Sequence, residues 1–306
     1  MKMRKTVVYS PRRLQYWLRA FHDAGIGTDE ARASLNCILT SVVGRRSILE
    51  MYSNQAERLL FSALQVKRID EYCEKRASRL PVQYILGEWD FHNITLKMQP
   101  PVFIPRPETE NLVDIVLSHL KRTPKSSTVL DIGCGTGAIC LALGNAAQIH
   151  CTGVDKNPKA VKLSKENAAN LNLAHCVTFH EAEISSHGID TAYSPLLNQV
   201  YDVIVSNPPY ISTEEAKDLE PEILRYEDHG ALFAGPRGLD MVQNILRYSR
   251  TNLRVGRHLF LEVGLSHPPL IRNILRTPEY DQLLRLHAVH SDFTLRDRFV
   301  EIERIK

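Results

Sequence analysis

The chain is predicted to fold as an α/β protein, a doubly wound and mostly parallel seven-stranded sheet behind a small N-terminal helical bundle. Three observations predict it. From Glu108 onward, strand-like apolar runs alternate with helix-period segments, as in a parallel sheet covered on both faces. Ahead of them the apolar residues recur at helical spacing. One strand also runs straight into Gly133-Cys134-Gly135-Thr136-Gly137, after which a helix starts at once. The 306 residues, 43% hydrophobic and 24% charged, suit one large domain and a smaller one: 1–82 helical, 83–106 a hairpin linker and 107–306 the α/β domain.

From Pro11, residues Leu14, Trp17, Leu18 and Phe21 fall at i, i+3, i+4 and i+7, one face of a helix ending near Gly25. In the second helix Thr28 is the expected N-cap, Asp29 and Glu30 occupy the first turn, and Ala31, Leu35, Ile38, Leu39 and Val42 form the buried stripe. Leu59, Leu60, Leu64, Tyr72 and Cys73 suit a third long helix ending before Pro81. Between Gly87 and Ile104, aromatic and β-branched residues interrupted by Asn and Pro predict a short hairpin. The α/β part then reads as helix 108–122, strand 128–133, helix from 137, strand 149–155, helix from Pro158, and strands 177–181 and 201–207. Helix 239–254, strand 258–263, helix 268–276 and strands 284–290 and 298–304 complete it.

No apolar run approaches the ~18 residues of a membrane span, and no signal-peptide core comes after Met1, so no membrane partner is expected. Six cysteines without CxxC or Cys/His spacing predict free thiols and no metal. The net charge of +3 does not argue for nucleic acid by itself. Its distribution is uneven, because the first 100 residues hold 16 Lys and Arg against 10 Asp and Glu. That excess is either a set of solvated helix faces or a docking surface for an acidic or RNA-rich partner. Lys2, Arg4, Lys5, Arg12, Arg13 and Arg19 stand in an opening of 22 residues without an acid, as in organelle transit peptides, although a helix from Pro11 leaves only a stub for targeting.

The glycine loop lets a ligand approach bare backbone at a helix N-terminus. Its G-x-G-x-G spacing differs from the dinucleotide fingerprint G-x-G-x-x-G. Asp131 sits inside the strand end just before it, where an acid has little structural reason to be. Asp155 ends the second strand, placed either to accept from the two hydroxyls of a ribose or to cap the helix from Pro158. This arrangement resembles class I S-adenosylmethionine-dependent methyltransferases. The cofactor implied carries a sulfonium and no phosphate, consistent with a loop without basic residues. The resemblance extends the cofactor contacts over Gly133, Cys134, Gly135, Thr136 and Gly137. It also implies an adenine contact after the third strand, where Glu183 is the acidic candidate and Ile184 packs on the ring. Surface acidity is the other reading of Glu183.

The strand YDVIVS stops at Asn207-Pro208-Pro209-Tyr210. Two prolines end a ladder and stiffen the backbone beyond it, so a rigid turn is the plain reading. At the end of strand four, beside strand one, the same motif faces the methyl donor. The Asn207 oxygen and the Pro208 carbonyl can hold the two N–H bonds of a planar –NH2 group, aim its lone pair at a methyl carbon and stabilise the charge that develops, while the Tyr210 ring lies against it.

The segments PVQYILGEWDF (81–91), VFIPRPETE (102–110), DIGCGTGAI (131–139) and SNPPYIS (206–212), in this order behind a helical domain, resemble the HemK/PrmC family of peptide-chain-release-factor glutamine methyltransferases. The resemblance implies N5-methylation of the glutamine in the Gly-Gly-Gln motif of class I release factors, with S-adenosylmethionine converted to S-adenosylhomocysteine. It also implies a monomer that needs no nucleic acid, with the basic N-terminal domain docking the release-factor body. Asn207, Pro208, Pro209 and Tyr210 are the implied catalytic and substrate contacts, with Arg225, Tyr226 and Glu227 of a substrate-side loop. Arg106 and Glu108 either order the domain junction or belong to a plain helix N-terminus with Pro107 at N1. FAGPRGLD (233–240) departs from the tighter Gly-Gly turn of the family, which leaves its loop path open. Similarity to organelle members implies mitochondria, with the cytoplasm as alternative. A ribosomal-protein glutamine or nucleic-acid adenine methyltransferase using the same tetrapeptide is the competing reading.

Overall fold

A computed structural model describes residues 6–44, 59–124 and 127–306, so Lys2, Arg4 and Lys5 lie outside the described residues. The chain folds as two compact units, Met1–Glu88 with Glu220–Tyr226, and Trp89–Leu219 with Glu227–Lys306. In the first, β1 (Thr6–Tyr9) pairs antiparallel with β2 (Leu59–Ser62). Helices α1 (Pro11–Asp23), α2 (Thr28–Val43), α3 (Ala63–Ala77) and α4 (Val82–Leu86) bury Trp17, Phe21, Leu35, Ile38, Leu39, Val66, Ile69 and Cys73.

Three details of this unit differ from the sequence reading. Gly27 rather than Thr28 is the N-cap residue of α2. The third helix starts at Ala63 because of a capping box: Gln65 N donates to Ser62 Oγ at 3.2 Å, and Ser62 N donates to Gln65 Oε1 at 2.9 Å. Leu59 and Leu60 therefore belong to β2, and Leu64 is 76% exposed. Finally, the substrate-side loop does not stay with its sequence neighbours, since Glu220–Tyr226 is part of this first unit. Arg76, buried on α3, donates to Ser34 Oγ (3.0 Å), Glu30 Oε1 (3.3 Å) and Glu222 Oε1 (3.2 Å). Arg79 donates to Glu220 (2.8 Å), Glu222 and the Gly25 carbonyl (2.7 Å). Two of the basic residues counted towards a docking surface are thus engaged inside the unit.

The hairpin of β3 (Glu88–Phe91) and β4 (Ile94–Lys97) opens the second unit. It is bonded to the α/β body and is not a free linker. Lys97 N donates to Asn167 Oδ1 at 2.7 Å, and Asn167 Nδ2 donates to the Thr136 carbonyl at 3.0 Å, joining the hairpin to the glycine loop. Next along the chain come α5 (Pro107–Leu120), β5 (Thr128–Ile132), α6 (Ala138–Ala147), β6 (His150–Asp155), α7 (Pro158–Asn170) and β7 (Val177–Glu181). A small hairpin, β8 (Glu183–Ser185) and β9 (Gly188–Asp190), precedes β10 (Tyr201–Ser206). The remainder is α8 (Asp240–Asn252), β11 (Leu253–Glu262), α9 (His267–Leu275), β12 (Leu284–Ser291) and β13 (Asp297–Arg304).

The seven-stranded sheet has the order β12-β13-β11-β10-β5-β6-β7, with β13 antiparallel to both neighbours and the rest parallel. β11 starts earlier than expected because LRVGR, with Gly256 at φ +74°, carries no strand pattern and pairs across an irregular register. Side-chain alternation assigns the two faces. Leu259 and Leu261 of β11 join Val242, Ile245 and Leu246 of α8 and Ile271 of α9 in one core cluster. Glu262, one position on, meets α5 on the opposite face, where Thr109 Oγ1 donates to Glu262 Oε2 at 2.8 Å. The chain winds outward through β5, β6 and β7, then returns to the far side of β5 as β10. A crevice opens at that reversal, above the carboxyl ends of β5 and β10.

Elsewhere on this unit, His258 Nδ1 lies 2.7 Å from Glu301 Oε1 and His290 Nε2 2.9 Å from Glu301 Oε2, with His119 beside them. All six cysteines are free thiols, and among the described residues no helix is long and apolar enough to cross a membrane.

Candidate active site

A cleft of about 1020 Å³ occupies the crevice, entirely within the second unit. The glycine loop forms its floor. Gly133 N and Cys134 N donate to the Val154 carbonyl at 2.8 and 3.0 Å, tying the loop across to β6. Gly133 and Gly135 hold φ of +75° and +55°, and a Cβ on either would meet nothing within 4 Å. Their glycine identity therefore serves the left-handed backbone and leaves bare main chain facing the cleft. Gly137 has a different reason, because a Cβ there would stand 2.7 Å from Phe179 Cζ.

Asp155 accepts from Gly135 N at 2.9 Å and from Asn157 N at 2.8 Å, so one carboxylate closes the loop and the turn after β6 together. Burial raises its pKa, and those two N–H groups oppose the rise. The helix cap is Asn157, whose Oδ1 accepts from Lys159 N at 2.9 Å, which removes capping from the readings of Asp155. Asp131 is fully buried under the loop and is not among the cleft's lining residues; the Cys140 N–H and thiol are its nearest donors, and neither makes a full hydrogen bond to it. Burial pushes its pKa up to about 7. A buried carboxylate short of hydrogen bonds is costly and marks a place for a ligand or a reaction.

Of the residues singled out in the sequence, Gly133, Cys134, Gly135, Thr136, Asp155, Glu183, Ile184, Asn207 and Pro209 line the cleft. Ile184 is buried and apolar, while Glu183 is exposed and 3.8 Å from Lys156 Nζ. Asp131, Gly137, Pro208 and Tyr210 are not among the lining residues, and Arg225 is exposed on the first unit. Tyr226 and Glu227, expected over a peptide, are engaged otherwise. Tyr226 Oη donates to the Ser78 carbonyl at 3.1 Å within the first unit. Glu227 is buried and accepts from Ile104 N (3.1 Å) and Arg106 Nη2 (2.7 Å). Arg106 thus orders the IPRPETE segment, and its guanidinium also lies over the Phe103 ring at 4.7 Å. Pro107 at N1 with Glu108 and Glu110 in the first turn makes the ordinary helix start as well.

The FAGPRGLD loop has a defined path. Ile211 N donates to the Leu232 carbonyl and Ala234 N to the Ile211 carbonyl, both at 3.0 Å, and a Cβ on Gly238 would stand 2.2 Å from the Tyr210 carbonyl oxygen. The loop backbone thereby braces Asn207-Pro208-Pro209-Tyr210. Sequence reasoning missed several wall residues: Phe103, Thr109, Asp228 and Met241. Thr109 stood inside the IPRPETE motif, where its small hydroxyl was overlooked between two charged residues. It accepts from Asn207 Nδ2 at 3.0 Å. Asp228 accepts from Asn157 Nδ2 (2.5 Å) and Gly230 N (2.8 Å), which closes the cleft mouth beside Asp155.

Comparison with known proteins agrees with this geometry. The PrmC N-terminal domain family matches residues 13–87 and the Methyltransferase small domain family residues 93–229. The chain is 39% identical over 298 residues to the MTRF1L release factor glutamine methyltransferase of Homo sapiens, covering 95% of this chain and 86% of that one. With the release factor glutamine methyltransferase of Thermodesulfovibrio yellowstonii it shares 34% over 228 residues, covering 74% and 77%. A crystal structure of the hMettl16 catalytic domain in complex with an RNA hairpin superposes with a TM-score of 0.52 at 13% identity, over 81% of this chain and 85% of that one, which is a likeness of fold. Matched at such identity over nearly its whole length, and built around a cleft of glycine loop, Asp155 and Asn207, the chain belongs to the family of release factor glutamine methyltransferases.

Proposed function

We propose that the chain methylates N5 of the glutamine side chain in the Gly-Gly-Gln motif of a class I release factor, in support of translation termination. The observation that carries this reading is the meeting, on one cleft wall, of Asn207 at the end of β10 with the glycine loop at the end of β5. The cleft residues fit S-adenosylmethionine. Gly133 and Gly135 leave open backbone, Asp155 has carboxyl lone pairs to offer a diol, and Ile184 and Ala182 offer apolar packing, while Asp131 lies buried beneath the loop. When bound, that cofactor supplies an electrophilic methyl group and leaves as S-adenosylhomocysteine.

The chain's own part is orientation. An amide nitrogen has a delocalised lone pair, so it needs alignment more than deprotonation. The Asn207 Oδ1 and the Pro208 carbonyl accept its two N–H bonds and stabilise the positive charge that grows on nitrogen as the methyl arrives; one of those protons then leaves to solvent, giving the neutral N5-methylamide. Pro208 and Pro209 keep those acceptors stiff. Tyr210 closes the motif, and burial pushes its phenol up to about 12, so it stays a neutral group.

Docking of the release factor on the basic first unit, action as a monomer, and residence in mitochondria belong to the same proposal. The acid-free stretch of the first 22 residues supports the last of these. The deciding experiment incubates the protein with isotope-labelled S-adenosylmethionine and a class I release factor, then applies mass spectrometry. One labelled methyl on the Gly-Gly-Gln glutamine, absent from a Gln→Ala substrate, is expected; label elsewhere or on added RNA would refute the reading.

A further inference from the structure

We propose that Thr109 and Glu262 are positioning residues that decide which end of the Asn207 side chain faces the cleft. This inference rests on the reading of Asn207 as the carboxamide acceptor. An asparagine amide has nearly the same shape after a half-turn about its last bond, but its acceptor and its two donors change places. Only one of the two orientations receives the N–H bonds of a carboxamide; the other points donors at donors. Nothing in the tetrapeptide itself makes that choice.

The chain of hydrogen bonds behind the wall does. Glu262, buried at 1% exposure, is acceptor-only when ionised, so it takes the single hydroxyl hydrogen of Thr109 (Oγ1 to Oε2, 2.8 Å). Thr109, itself 3% exposed, then has only lone pairs left to offer, and Asn207 must meet it with Nδ2 at 3.0 Å. Oδ1 is thereby turned to the open side. The direction of every bond is set by the charge on Glu262. A proton there reverses the chain: the acid donates to Thr109, Thr109 donates to Oδ1, and the –NH2 end swings to the cleft.

Glu262 is surrounded by few groups that could prevent this. Glu108 of α5 repels its charge, Arg298 of β13 attracts it while engaged with Asp292 at 3.0 Å, and Tyr210 is neutral. Burial outweighs Arg298, Thr109 and Asn207 and brings the carboxyl up to about 7. The productive orientation is therefore lost as pH falls through that value, and methyl transfer declines with it.

The test uses the full chain. Thr109→Val keeps shape and loses the relay, so kcat is expected to fall on the order of 10²-fold, with KM for the release factor and affinity for S-adenosylmethionine near wild type. Thr109→Ser restores most of the rate. Glu262→Gln cannot take up the proton, so the wild-type loss of kcat below about pH 7 flattens in that variant. A kcat within about twofold of wild type in Thr109→Val, or an unchanged acid limb in Glu262→Gln, overturns the proposal. The ¹⁵N-labelled Asn207 side-chain resonances of the free protein provide a readout without substrate. They should shift with a midpoint near the acid limb, and not in Glu262→Gln; pH-independent resonances overturn the proposal even where methyl transfer to release factor fails.

Discussion

Replacing Asp131 with Asn removes a carboxylate that the free protein holds fully buried, with only the Cys140 N–H and thiol close by and no full hydrogen bond to either oxygen. Its pKa, raised from 3.8 to about 7, lies above the unfolded value. The unfolded chain gives up this proton more readily, so the residue opposes folding increasingly as pH rises from about 4 to about 7, and the penalty then levels off. At pH 8 it reaches about 4 kcal/mol, and at pH 5 it is about 2 kcal/mol. Asn keeps the shape but leaves a buried –NH2 without an acceptor, which costs about 1–3 kcal/mol. The net expectation is a variant more stable than wild type by about 1–3 kcal/mol at pH 8, seen as about 2–4 °C in Tm for each kcal/mol in a domain of this size. The advantage shrinks or reverses by pH 5. Cofactor affinity moves the opposite way, because the negative charge beneath the glycine loop is the feature assigned to the cationic ligand. Thermal melts at the two pH values and cofactor titration check this. A variant less stable at pH 8, or a difference independent of pH, would refute the account of Asp131 as an ionisable group held unsatisfied for binding.

Asn207→Ala is expected to lower turnover by about 10²–10³-fold, the scale of one lost transition-state hydrogen bond, while cofactor affinity stays near wild type; single-turnover kinetics and calorimetry separate the two. Gly137→Ala forces a side chain onto φ +84° and against Phe179, costing about 2–4 kcal/mol in urea titration, with partial recovery in Phe179→Leu. Glu222→Ala leaves the buried guanidinium of Arg76 and that of Arg79 short of a carboxylate and should destabilise the first unit by about 3–5 kcal/mol, with Glu222→Gln intermediate. Acidification should weaken the second unit in two steps. Burial lowers His119 to about 4, so the unfolded chain alone binds that proton between pH 6.5 and 4, and up to about 3 kcal/mol is lost there. Glu301, held low chiefly by its hydrogen bonds to His258 and His290 against the effect of burial, loses its contribution as pH falls below the ordinary carboxylate range. Stability against pH for His119→Phe, which lacks the first step, tests the assignment.

The α/β body was readable because its strands are short apolar runs bounded by turn residues, and its glycine loop joins the end of one strand directly to a helix. Leu59 and Leu60 misled because an apolar pair fits a helix or a strand equally, and the deciding signal was polar: Ser62 and Gln65 in a capping box. The cleft floor was readable for the same reason as the sheet, since Asp131, Asp155 and the glycines are local in sequence. Its back wall was not. Thr109 and Glu262 are 153 positions apart, and no periodicity links a hydroxyl on α5 to an acid at the end of β11. Tyr226 and Glu227 are expected over a peptide only through the resemblance of their segment to a substrate-side loop, and the sequence does not reveal that Ser78 and Arg106 engage them.

The first unit is completed by residues that arrive late. Glu220 and Glu222 belong to it, yet they come after Glu88 by more than a hundred positions. During synthesis the ribosome finishes Glu88 with Arg76 of α3 and Arg79 just beyond it in place and no Glu222 to meet them. At ~5–20 residues per second, roughly 7–28 s pass before Tyr226 emerges. Through that interval the helices around Arg76 can gather but cannot close, and most of the α/β body is made before the N-terminal unit can reach its final state. The first unit is thus begun first but completed only after the strands through β10 have been made, and still before β11, β12 and β13.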